Sequence, residues 1–133
     1  TFEQIREFKQ LHYGVDDEFK NKGIKAQGVV IGRYRFAENP AQKHVGMFDG
    51  VMTLWWYLDK NDKIQYDDLE KHSDRYRNNQ YVGTWTEYGK QKSGPCNWGE
   101  YRIPFSGDLD IGAGEFSVNP KYYDKGWAEF GEK

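Results

Sequence analysis

Asp108, Asp110 and Glu115 crowd into the short stretch "DLDIGAGE", and Cys96, Trp98 and Arg102 stand just ahead of them in "CNWGEYR". Carboxylates at i and i+2 of a strand project to one side, so Asp108 and Asp110 are candidates to share a hard cation through oxygen ligands. A solvated strand face followed by a glycine bend is the plainer reading and is favoured. Asp110 with Glu115 has the composition of an acid–base pair for glycoside hydrolysis. A chain with 21 acidic residues supplies such pairs freely, however. Cys96 is a candidate thiolate nucleophile if a histidine reaches it. A lone cysteine between Pro95 and a nearby tryptophan reads first as a small buried apolar residue. His12, His44 and His72 are too scattered to suggest zinc, and no metal or cofactor is expected.

Binding chemistry is better supplied than reaction chemistry. Trp55, Trp56, Trp85, Trp98 and Trp127 exceed what one modest core needs, and rings beside Asn, Asp and Arg suit stacking on a sugar or anchoring a protein partner. Trp55 and Trp56 are adjacent, so in a strand they face opposite ways. In an extended "NWGEYR", Trp98, Glu100 and Arg102 share one face and Tyr101 takes the other. The candidate ligand-binding residues are therefore Trp85, Trp98, Arg102, Asp108, Asp110 and Glu115. The competing account is structural: an aromatic interior, with Arg102 pairing Asp108 or Glu115 across a turn and Trp98 packed beneath. Asp59, Asn61, Gln65, Asp67 and Glu70 fall at offsets of a calcium loop, but Lys63 takes a ligand position and Ile64 replaces the turn glycine, so a hairpin turn is expected there.

The elements that must position these residues are mostly strands. "GVVIGRYRF" (Gly28 to Phe36), "HVGMFDGVMTLWWYLD" (His44 to Asp59), "KIQYDDL" (Lys63 to Leu69) and "QYVGTWTEY" (Gln80 to Tyr88) are rich in β-branched and aromatic residues between turn signals. "WGEYRIP" predicts a further strand and "DLDIGAGEF" another, while "EKHSDRYRNN" reads as a polar loop. Phe2, Ile5, Phe8 and Leu11 recur every third residue, which predicts a helix over 1–13, and Asp16 to Glu18 suit the first turn of a second helix before Gly23. The fold expected is mainly β: an antiparallel β-sandwich or small β-barrel, lipocalin-like or calycin-like at most, in a single domain. Residues 1–26 would be its helical cover and 27–133 its sheet body.

Two short patterns carry resemblances. Gly83 and Trp85 in "YVGTWTEY" resemble the Gly-x-Trp signature of lipocalins, in which the tryptophan plugs an eight-stranded barrel. There the signature opens the barrel; here it lies mid-chain. "YVGTWTEYGKQKSG" resembles a MORN hairpin repeat, although no regular short period follows. Neither resemblance brings functional residues to this chain.

Composition narrows the function classes. The 133 residues carry a net charge of -2 without a basic block, so the footprint of a nucleic-acid partner is missing. No apolar run approaches the ~20 residues of a membrane-spanning helix, and no signal peptide is visible, although a start at Thr1 suggests that something was removed. One cysteine forbids an internal disulfide and leaves the compartment open; the Asn-, Lys- and ring-rich surface leans toward an extracytoplasmic protein. The expectation is a non-enzymatic binding or interaction module for a carbohydrate or protein ligand, with a small hydrolase acting on glycans or peptides as the alternative. Oligomeric state is not legible.

Overall fold

The computed structural model of the chain describes residues 2–9 and 22–130. Its strands are β1 (Phe2–Lys9), β2 (Ala26–Ala37), β3 (Gly46–Leu58), β4 (Ile64–Tyr66), β5 (Asn78–Glu87) and β6 (Ser93–Glu100). They form one antiparallel sheet in the order β1–β2–β3–β5–β6, with β4 pairing the distal half of β3. Hairpin-by-hairpin connectivity follows from the short turn-rich separators. Beyond β6 come loops and two 3-10 turns, Pro120–Lys125 and Ala128–Phe130.

The architecture is therefore mainly β, as expected, but the sheet is open. Among the described residues no ladder joins β1 to β6 and no second sheet is present. The amino-terminal expectation needs correction. Residues 2–9 are a strand antiparallel to β2, not a helix. A register shift between Gln4 and Arg6 inserts one residue into the ladder. Such a bulge resets the alternation of two, so apolar residues three apart do not demand a helix. The remainder of that expected helix and the second one lie outside the described residues. "DLDIGAGEF" also departs from expectation: in place of a strand it makes a single bridge, Asp110 to Val118.

The sheet has two distinct faces. On the first, Tyr34, Gly50, Gly83 and Cys96 form one cross-strand row over β2, β3, β5 and β6. Tyr34 is buried and lies across the two glycines; a Cβ at Gly50 would come within 2.8 Å of its hydroxyl, and one at Gly83 would collide with that hydroxyl and the Asp49 carbonyl. Glycine is required because a neighbouring strand's carbonyl, that of Val82 or Asp49, and the Tyr34 hydroxyl occupy the space a side chain would need. Around Tyr34 gather Phe36, Tyr81 and Trp98, and Phe48 meets Trp98 at 5.6 Å. Gly83→Ala is expected to cost about 2 kcal/mol through overpacking, read as a drop in the urea midpoint. An unchanged midpoint would show that Tyr34 does not hold this place.

Candidate functional site

The second face carries the concave surface. Thr53 and Trp55 of β3 and Gln80 and Val82 of β5 share this side of the pleat. The loop before β5 supplies Arg75 and Arg77, and the segment after β6 supplies Arg102 to Ser106. Together they bound a cleft of about 680 Å³. A smaller hollow of about 250 Å³ adjoins it and shares Trp55, Arg75 and Arg77, with Gln27, Asp67, Leu69, Glu70 and Tyr76 completing its wall.

Trp55 is aimed here because Trp56, its neighbour, points the other way and is buried on the first face. The opposition expected from adjacent strand positions is what the structure shows. Trp55 also lies where β3 exchanges partners, since β5 pairs it up to Thr53 and β4 from Trp56. The buried side chain of Asn78 fills that gap. Its Oδ1 accepts from the Trp55 N–H at 2.8 Å, and its Nδ2 donates to the Trp55 and Asp67 carbonyls at 2.9 and 3.0 Å. One amide thus substitutes for a missing rung of the ladder.

The two flanking loops are pinned rather than loose. Tyr76, between Arg75 and Arg77, donates its hydroxyl to the Asp67 carbonyl at 2.5 Å, and burial pushes its phenol up to about 12. The Arg75 N–H donates to the Gly114 carbonyl at 2.9 Å, which ties this loop to the carboxy-terminal segment. Arg102 organises that segment: Nε pairs with Asp110 at 2.7 Å, and its two terminal nitrogens donate to the Gly114 and Gly112 carbonyls. Asp110 is almost wholly buried and also accepts from the Gly112 and Ser117 N–H groups. Breaking such a pair exposes each charge to an unpaired burial, so this is a staple of the site wall.

The sequence-chosen residues do not converge on one point. Trp85 lies on the first face, where its Nε1–H donates to Glu38 at 2.9 Å; that carboxylate also accepts from the Gly46 N–H. Trp98 stacks on Tyr81 at 4.6 Å in the aromatic cluster. Asp108 is exposed and held by Lys121 and Tyr122, which keep its carboxyl below the usual range. Glu115 is exposed and, with His72, lines an adjoining groove that shares Arg75 and Arg102 with the cleft. The expected shared face of Trp98 and Arg102 is not formed. The strand ends at Glu100, Tyr101 turns into the left-handed region at φ 66°, and Arg102 is carried round to the second-face cleft.

The catalytic candidates find other work. Both carboxylate oxygens of Asp110 are engaged as described. Burial pushes the Cys96 thiol up, away from the thiolate, and among the described residues it makes no hydrogen bond to a histidine. Asp59 accepts from the Asn61 and Lys63 N–H groups and from Gln65, closing the β3–β4 hairpin that replaces any calcium loop. Among the described residues no group of three His, Cys, Asp or Glu side chains is placed to hold a metal, and no helix is long and apolar enough to cross a membrane.

Sequence reasoning passed over Arg75 and Arg77. The signal was present in "DRYR", two arginines on either side of a tyrosine, but it sat in a stretch that reads as a solvated loop. Comparison with protein-family models, curated proteins and solved structures finds no match.

Asp67 gives the hollow a pH signature. Its burial raises its pKa from the ordinary 3.8, against hydrogen bonds from the Leu69 N–H and from Gln27. A raised carboxyl disfavours the folded state above its folded pKa, and this cost fades as pH falls through that value and is gone below 3.8. Asp67→Asn should therefore raise the melting temperature at neutral pH and leave it unchanged in strong acid. The buried Gln27 Oε1, which has no partner among the described residues, can accept from the new amide after a flip of the Gln27 side chain. A variant that melts lower at neutral pH would show that the Asp67 charge is held favourably.

Proposed function

We propose that the protein is a non-enzymatic carbohydrate-binding module whose ligand lies in the cleft beside Trp55. The observation that carries this reading is an indole that lines two adjoining hollows, with the exposed Arg75 and Arg77 lining both as well. A sugar ring offers one C–H-rich face to an aromatic plane and a rim of hydroxyls to polar neighbours, the mixture that such a cleft provides. A protein partner would ordinarily meet a flatter surface around a central anchor. The reading retains a fold-level component, closure of the sheet into a sandwich or small barrel. Its support is the half-exposed apolar face of Phe36, Phe48 and Trp98, which a second layer would cover. Slow amide exchange along the outer edge of β6 is expected in a closed form and fast exchange in an open one.

Screening the intact protein against immobilised saccharides and, in parallel, against protein extracts tests the function. Retention of at least one saccharide class, with a change in tryptophan emission on titrating it in solution, is the expected result. Capture of a protein partner with every saccharide ignored would overturn the reading.

A further inference from the structure

We infer that the saccharide taken by this cleft is anionic, held through its acid group by the paired guanidinium groups of Arg75 and Arg77; this rests on the carbohydrate reading above. Two other arginines are committed, Arg35 to Asp49 and Arg102 to Asp110 and two carbonyls, and the exposed Arg33 does not line the cleft. Arg75 and Arg77 are exposed and uncommitted among the described residues, in a chain with more acids than bases. Their backbone is nevertheless fixed. Arg75 is held at φ 67°, a region few non-glycine residues occupy, by its bond to Gly114, and Tyr76 between them is anchored on Asp67. A pinned segment that presents two exposed planar forks to the hollows lined by Trp55 suits an oxyanion.

The lining of the smaller hollow adds complementary chemistry. Gln27 is buried in that wall, its Oε1 has no partner among the described residues, and Asp67 lines the same hollow. Acceptors and carboxylates repel an anion and welcome hydroxyl donors. A ligand matched to this lining carries hydroxyls for Gln27 and Asp67, a ring face for Trp55, and a carboxylate or sulfate for Arg75 and Arg77. A uronic acid and a sulfated sugar are two sources of the same oxyanion. A nucleic-acid strand fits less well, because a phosphate ladder calls for a line of cations and two are offered here.

Titration calorimetry of the intact protein would use oligogalacturonate as the carboxylate probe, sulfated dextran oligomers as the sulfate probe, neutral glucan oligomers, and a single-stranded oligonucleotide. One or both acidic saccharides should bind, weakening as salt is raised, and the neutral oligomers should bind about tenfold less tightly or not at all. Arg75→Gln and Arg77→Gln should each weaken the acidic ligand about tenfold with melting unchanged. Neutral and acidic oligomers binding alike, or both variants keeping wild-type affinity, would overturn the inference while the carbohydrate reading stands. No binding of any saccharide would overturn both. An oligonucleotide bound more tightly than every saccharide would also overturn both.

Discussion

Asn78→Ala is expected to lower stability by about 4 kcal/mol. The side chain is fully buried and makes four hydrogen bonds: from the Trp55 and Asn79 N–H groups, and to the Trp55 and Asp67 carbonyls. Alanine would remove them all. The carbonyls keep other partners, from the Asp67 N–H and the Tyr76 hydroxyl, but the Trp55 and Asn79 N–H groups would lose their acceptor at a half-buried site. A stranded buried donor costs about 1–3 kcal/mol. Because this rung sets the backbone at Trp55, the cleft should loosen along with the fold. Urea denaturation checks the magnitude, and a loss under about 1 kcal/mol would mean that water or a backbone shift replaces the amide.

Trp98→Ala should cost about 3–5 kcal/mol. Its indole stacks on Tyr81 with planes 9° apart and meets Tyr34, Phe36 and Phe48 at centroid distances of 5.4, 6.4 and 5.6 Å. Each such ring pair adds about 0.5–1.5 kcal/mol beyond its buried area. The cluster lies on the face away from Trp55, so the folded fraction of the variant should bind ligand as the wild type does. Thermal unfolding beside a binding isotherm separates the two effects. Stability retained with binding lost would return Trp98 to the ligand site.

Much of the sheet is written in the chain, since β2, β3 and β5 follow their alternation and β-branched content closely. The opposed aims of Trp55 and Trp56 come from the same period of two. The edges are harder. β1 hides behind a spacing of three because one inserted residue breaks its alternation. "WGEYRIP" overruns its strand because a left-handed tyrosine, which no local rule announces, turns the chain at residue 101. The site was half legible. Arg102 was expected to pair across a turn and does, but with Asp110 rather than Asp108 or Glu115. That choice depends on the loop from Leu109 to Asn119 folding back on itself through the Ile111 and Asn119 backbone bonds. Arg75 and Arg77 gain meaning only when Tyr76 and Gly114 bring their loop beside Trp55, a tertiary juxtaposition absent from local pattern.

The most direct measurement of the central claim is the affinity of Trp55→Ala for the saccharide that the intact protein retains, taken with its circular-dichroism melt. Among the described residues the indole is the only ring common to the lining of both hollows, so truncating it should weaken binding about tenfold or more. The strand signature should be unchanged in the folded protein at the temperature of the assay. Wild-type affinity in a folded Trp55→Ala protein would contradict the account and place the ligand elsewhere on the molecule.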